Sequence, residues 1–299
     1  MIEYQSLFHK KLLEGNFVYT AETTPPDSSD QEILLKKTKP LKGIADAVNL
    51  TDSPGAKVHM SSLTAAIILV QNDIEPIWQL TVRDRNRLAL QGDLVGASAL
   101  GVHNILCLSG DDPKNGDQPE TTVVNDIDSL TLVATADMMR GKKQFPSGRL
   151  IEPAPKFCIG GAEVPTEGKP DPEKILDKIK MGVNFFQTQY VFDEILLKEY
   201  MKVLEDAGIL EKTFFIIGLG PFASAKSAKW MNDNLFGVDV PEQIITRLEQ
   251  APDAKEESKN ICQELINKFK EIKGVKGIHL MGHNKEEEIA EIIQEARKS

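Results

Sequence analysis

Residues 104–110 read NILCLSG and residues 213–220 read TFFIIGLG, two short apolar runs that close on small residues. A strand buried on both faces loses the polar–apolar alternation of a half-exposed one, and such strands belong mostly to parallel sheets. Six more runs of this kind stand at 17–23, 47–51, 74–82, 157–162, 184–192 and 277–282. Helical patterns occupy gaps between them: LTAAIILVQ after the second run, RNRLALQGDLVGASALG after the third, EILLKEYMKVLEDAG after the sixth and KEEEIAEIIQEARK after the eighth. DPEKILDKIKMG precedes the sixth run and ESKNICQELINKFKEIKG the eighth. Each sets apolar residues three and four apart with charges between them. Gly182, Gly208 and Gly274 stand where helix C-caps are expected. Strand then helix, repeated eight times, predicts a (β/α)8 TIM barrel over residues 1–299 as one domain, with one extra N-terminal helix at 2–14. A doubly wound open sheet is the competitor. It is weakened because the turn after the first run carries ETTPPDSS and no GxGxxG.

Charge and composition narrow the partners. The 45 acidic residues outnumber the 35 basic ones for a formal charge of −10, which argues against nucleic acid or an anionic membrane surface as the main partner. No apolar run approaches the roughly 20 residues that span a bilayer, and the first residues do not form a signal peptide, so a cytoplasmic protein is expected. Cys107, Cys158 and Cys262 are scattered, without a CxxC or Cys/His cluster, so neither a metal site nor a disulfide framework is expected.

Barrel enzymes work at the C-terminal ends of their strands. The polar residues there are Glu22, Thr23 and Thr24; Thr51 and Asp52; Gln79, Thr81, Arg83 and Asp84; Ser109 and Asp111; Glu163; Gln187, Thr188 and Gln189; His283 and Asn284. Glu22 precedes the double proline Pro25-Pro26, which stiffens the turn behind it. A carboxyl held in a partly apolar mouth is expected to keep its proton near neutral pH and to donate it. Gln187 and Gln189, two apart, are expected to share one face of their strand. Amides pointing into a barrel need partners, either a heterocyclic ligand or a polar network within the barrel. Arg83, Arg85 and Arg87 with Asp84 read as the charged entry to a helix, Asp84 lying near its N-cap.

Nearly the whole chain resembles the methylenetetrahydrofolate reductase family in its short bacterial form. The likeness is carried by AETTPP, AVNLTD, LTVRDRNRLALQGDLVGASALGVHNILCLSGDDP, FCIGGAEVP, FFQTQYVFD and GIHLMGHN. It implies a flavin-carrying barrel of one-carbon metabolism that serves methionine biosynthesis. The reaction is reduction of 5,10-methylenetetrahydrofolate to 5-methyltetrahydrofolate by hydride transfer from the reduced flavin. By resemblance Glu22 is the general acid, Asp111 lies near flavin and pterin, Gln189 bonds the pterin, and Lys285 stands near a folate-binding arginine. The flavin positions are Thr51, Gln79, Leu108, Ser109, Gly110, Asp111, Ala162, Asp171 and Lys178, the last two expected to open the helix before the sixth run, where a lysine meets a phosphate.

Three positions depart from the family pattern. Gln79 stands for a histidine, Ser109 for an arginine and Ala162 for a tyrosine. The last two bear on adenine and phosphate contacts, so FMN stays open beside FAD. They also leave the electron donor open between NADH and a separate iron–sulfur or zinc subunit, the arrangement of reductases of anaerobes, to which the sequence looks closer. Two other functions fit the same residues: a pterin-binding methyl-transfer barrel without flavin, and a subunit acting mainly in assembly with an electron carrier. A homo-oligomer is left open.

Overall fold

The computed structural model describes residues 4–165 and 170–298. Eight strands close into a parallel barrel in chain order. They are β1 (Val18–Thr23), β2 (Ala47–Leu50), β3 (Pro76–Thr81), β4 (Asn104–Leu108), β5 (Cys158–Glu163), β6 (Phe185–Tyr190), β7 (Phe214–Leu219) and β8 (Val275–Leu280). Pairing of β1 with β8, Val18 opposite Gly277, closes the ring and excludes the open sheet. Each expected strand is present; β8 begins two residues earlier than the sequence suggested, at Val275.

The helices are α1 (Leu7–Leu13), α2 (Gln31–Thr38), α3 (Ser62–Gln71), α4 (Arg87–Ala99), α5 (Ser129–Asp137), α6 (Pro172–Lys180), α7 (Glu194–Asp206), α8 (Ala225–Asn234), α9 (Glu242–Gln250), α10 (Ala254–Lys270) and α11 (Glu286–Ala296). The N-terminal helix is shorter than the expected 2–14, because Ser6 caps it by accepting from His9 N; residues 2 and 3 lie outside the described residues. Gly182 and Gly208 follow α6 and α7 with positive φ (119° and 65°), the left-handed exit that their C-cap assignment requires.

Alternation along parallel strands stacks the barrel interior in layers. The floor is apolar: Val18, Ala47, Ile77, Leu106, Cys158, Phe185 and Ile216, one from each of seven strands, pack with Phe8 and Leu12 of α1. Phe8 is fully buried and meets Phe185 edge-on at 5.3 Å, so α1 plugs the bottom of the barrel. A Cβ on Gly160 would stand 2.5 Å from the Phe185 ring, so that glycine makes room for the floor. Two residues further along the strands the interior turns polar, with Thr20, Asn49, Gln79, Gln187 and His279 all buried. The next inward positions are Glu22 on β1, half-buried at the mouth, and Thr51 beyond β2, which is buried.

Candidate active site

Glu22 faces groups from three other strands, one of which bonds it. Its Oε2 accepts a 2.8 Å hydrogen bond from Gln79 Nε2 on β3. On the other side, His279 Nε2 of β8 stands 3.6 Å from the same oxygen, an electrostatic contact longer than a hydrogen bond. The Tyr190 phenol of β6 is pushed above its usual pKa by burial first and by the Glu22 charge second. The turn behind Glu22 is fixed by more than its prolines. Thr23 Oγ1 donates to Glu286 at 2.6 Å, Lys37 Nζ to Thr24 O at 2.9 Å, and Met60 N to Pro26 O at 2.7 Å.

Below Glu22 a row of side chains crosses the barrel. His279 Nδ1 lies 2.9 Å from Thr20 Oγ1, which accepts from Gln187 Nε2 at 3.1 Å. Gln187 and Asn49 exchange bonds of 2.7 and 3.1 Å. The polar network therefore satisfies Gln187 without a ligand.

Gln189 does not share its face. Gln187 pairs with Ile216 but Tyr190 with Gly218, so β6 carries one extra residue between them. In that bulge the Thr188 hydroxyl accepts the Gly218 N–H at 2.8 Å, in place of a ladder carbonyl. Gln189 turns back on the backbone, its Oε1 taking the Tyr190 N–H at 3.0 Å and its Nε2 reaching Phe236 O at 3.4 Å. It remains half-buried at the rim, and Tyr190 is the β6 side chain that feels Glu22.

On the β2–β4 side, Thr51 Oγ1 is buried and has no hydrogen-bond partner. Asp52 beside it is buried too. Burial alone would raise its pKa, but bonds from Arg85 and Thr81 outweigh that and hold it below the usual carboxylate value. Asp84 is not the cap of α4: Asn86 is, accepting from Leu88 N and Ala89 N, while Asp84 grips Arg83 with two bonds. Arg83 is only 4% exposed, and its guanidinium reaches Ser53 O at 3.4 Å and Asp111 O at 3.3 Å, tying the β2 and β4 loops together. Asp111 itself is exposed, one carboxylate oxygen taking the Gly55 N–H at 2.6 Å. Ser109 and Gly110 are exposed beside it, and Leu108 is half-buried.

The β5–α6 side differs from expectation in one respect. Asp171 caps α6, accepting from Lys174 N, but Lys178 lies in the closing turn of that helix rather than at its opening. Its side chain reaches back to the strand end, donating to Ala162 O at 3.0 Å and pairing with Glu163 at 2.9 Å. Lys285, opposite, donates to Phe222 O at 3.1 Å and pairs with Glu288 at 3.0 Å. No hydrogen bond among the described residues joins Glu22, Asp111 and Gln189; they occupy separate sectors of one rim.

A barrel mouth with a strand-held carboxyl is common to many chemistries, so the sequence comparisons decide the family. The methylenetetrahydrofolate reductase family model matches residues 7–297. The chain belongs to that family. Methylenetetrahydrofolate reductase 2 of Schizosaccharomyces pombe is 23% identical over 308 residues, covering 95% of this chain and 46% of its own length. A probable methylenetetrahydrofolate reductase (NADPH) of Caenorhabditis elegans is 24% identical over 242 residues, covering 80% of this chain and 34% of its own length. The chain thus spans less than half the length of either curated relative. Among solved structures, an uncharacterized Clostridium thermocellum protein that binds two copies of 5-methyl-5,6,7,8-tetrahydrofolic acid superposes with a TM-score of 0.64. The identity there is 17%, with 98% of each chain covered, a likeness of fold. No helix among the described residues is long and apolar enough to cross a membrane. The three cysteines are buried free thiols whose pKa values burial raises, that of Cys107 to about 12.

Proposed function

We propose that this chain reduces 5,10-methylenetetrahydrofolate to 5-methyltetrahydrofolate, with Glu22 as general acid and a bound flavin. The observation that carries the reading is the Glu22 carboxyl, anchored at one oxygen by Gln79 and facing the mouth of a barrel of this family. The Clostridium thermocellum neighbour, which binds the methylated form of the same pterin, supports the substrate class.

The strand ends on the β2–β4 side fit a flat group with polar edges. Thr51 offers a buried hydroxyl without a partner, and Gly110 has φ +91°, with no side chain above the Arg83 stem. Thr51, Gln79, the Leu108–Asp111 turn and Ala162 would hold the flavin, with Asp171 and Lys178 on the α6 side. Lys178 would meet a phosphate by exchanging its Glu163 partner. Reduced flavin supplies the hydride when bound. FAD is the first assignment and FMN the alternative; NADH or a separate iron–sulfur or zinc subunit supplies the electrons.

The protein's own part is acid catalysis and positioning. Glu22 donates its proton to the ring nitrogen that leaves as the imidazolidine opens. The other nitrogen then carries the methylene carbon as an iminium, and the carboxylate of Asp111 steadies that cation. Gln189 bonds the pterin edge, and Lys285 meets the folate tail.

An absorbance spectrum of the purified chain with added flavin tests the reading. A bound flavin band that bleaches with reductant and returns on adding methylenetetrahydrofolate is expected. A chain that turns over folate with no flavin would instead be the methyl-transfer barrel.

A further inference from the structure

The buried row beneath Glu22 has a direction. Gln187 Nε2 uses one hydrogen on Asn49 Oδ1 and the other on Thr20 Oγ1, at 3.1 Å each. The Thr20 hydroxyl is therefore an acceptor already, and the group within reach of its single hydrogen is His279 Nδ1 at 2.9 Å. A neutral imidazole accepts at one nitrogen and donates at the other, and the hydrogen bond at one fixes the proton on the other. With Nδ1 accepting from Thr20, the ring hydrogen sits on Nε2, 3.6 Å from Glu22 Oε2. That oxygen is the one Gln79 also donates to, at 2.8 Å.

We infer that Thr20 and His279 are positioning residues for Glu22: they hold the imidazole as its Nε2–H tautomer, which with Gln79 keeps Oε2 an acceptor and leaves Oε1 as the oxygen that carries and delivers the proton. A proton on Oε2 would face two N–H groups, whereas Oε1 meets neither. The histidine contact is 3.6 Å, a length from which catalytic contacts tighten around substrate. In the step itself the proton leaves Oε1 for the departing ring nitrogen. The carbon–nitrogen bond breaks with its electron pair going to that nitrogen, and the new charge on Glu22 is met at Oε2 by Gln79 and His279. This delivery rests on the reductase reading; the tautomer does not. Flipping both amides of the Asn49–Gln187 pair would turn Gln187 Oε1 toward Thr20, draw the hydroxyl hydrogen there and force the Nδ1–H form. The two arrangements differ in one measurable proton.

The test uses the full chain labelled with 15N-histidine. Five histidines are present (His9, His59, His103, His279 and His283), and a His279→Gln variant assigns the signal of interest. Two-bond proton–nitrogen correlations near neutral pH should show His279 protonated at Nε2 and bare at Nδ1. Thr20→Ser should keep that pattern and Thr20→Val should lose it. In folate turnover Thr20→Val should lower kcat by ~10-fold with KM little changed, while Thr20→Ser stays within ~2-fold of the parent. An Nδ1–H or doubly protonated His279 in the parent chain overturns the inference, and so does a valine variant that matches the serine one. A correct tautomer in a chain with no folate turnover removes the Oε1 delivery together with the reductase reading, and leaves the network standing.

Discussion

Gln79 on β3 donates to Glu22 on β1 across the barrel mouth at 2.8 Å, a bond between strands that are not neighbours in the sheet. It occupies one oxygen of the carboxyl and fixes its orientation.

Removing that donor should cost activity more than stability. Gln79 meets the charge that develops on Glu22 as its proton leaves, and a hydrogen bond to a charged group contributes about 1.5–3 kcal/mol. Gln79→Leu, close in volume, is expected to lower kcat/KM for folate reduction by roughly 10–100-fold, tenfold for each 1.4 kcal/mol. Steady-state assays with an artificial reductant, beside a thermal melt, check this. Unchanged kinetics would mean that Gln79 does not orient the acid.

Gly110 gives a stability test at the opposite sector. Its φ of +91° is strained for any other residue, and an added Cβ would stand 2.9 Å from Arg83 Cβ and 3.1 Å from Thr81 Cβ. Gly110→Ala should destabilise the chain by about 1–3 kcal/mol in urea unfolding and displace the Asp111 turn. A variant as stable as the parent would show that the turn adapts freely.

The α1 plug makes stability depend on pH. Burial first, and the Arg140 charge second, lower the His9 pKa from 6.5 to about 4. The unfolded chain takes up its proton near 6.5, the folded chain only near 4, so His9 favours the folded state fully above 6.5. That contribution falls as pH drops between the two values and is flat below them. Allowing for screening at a partly wetted ring, the loss should be about 1–2 kcal/mol. Urea unfolding from pH 7 to about 4.5 should show it, and His9→Gln should remove it. Identical slopes in the two chains would assign the acid sensitivity elsewhere.

The barrel was legible because two-face burial leaves a mark on composition: NILCLSG and TFFIIGLG have no polar side to show. Less legible were α5, α8 and α9: α8 is mostly polar, with Ala228 its one buried residue, and α5 and α9 are only nine residues each. At the site, strand ends were readable but inward faces were not all so. Counting by twos from the floor residue Val18 gives Thr20 and Glu22, and from Ile77 it gives Gln79. The same count from Phe185 reaches Gln187 and then fails, because the bulge inserts a residue that alternation cannot foresee. His279 lay in plain view in GIHL, two residues past Gly277, but nothing local marks it as a neighbour of Glu22, since β8 meets β1 only when the barrel closes. Arg83 was hidden for a different reason. A charged RDRN run reads as surface, and only the loops that converge on it bury its guanidinium.

The central claim is that Glu22 delivers a proton in folate reduction by a flavin-loaded chain, and a single-turnover experiment tests it most directly. The chain is loaded with flavin, reduced without oxygen, mixed with methylenetetrahydrofolate and followed by the return of the flavin band. Reoxidation with formation of 5-methyltetrahydrofolate is expected in the parent chain. In Glu22→Gln, with flavin binding and reduction intact, it should be slower by ~10²–10⁴-fold, the range for a lost general acid. A Glu22→Gln chain that reoxidises at the parent's rate, or a parent chain whose reduced flavin is indifferent to the folate, would contradict the account.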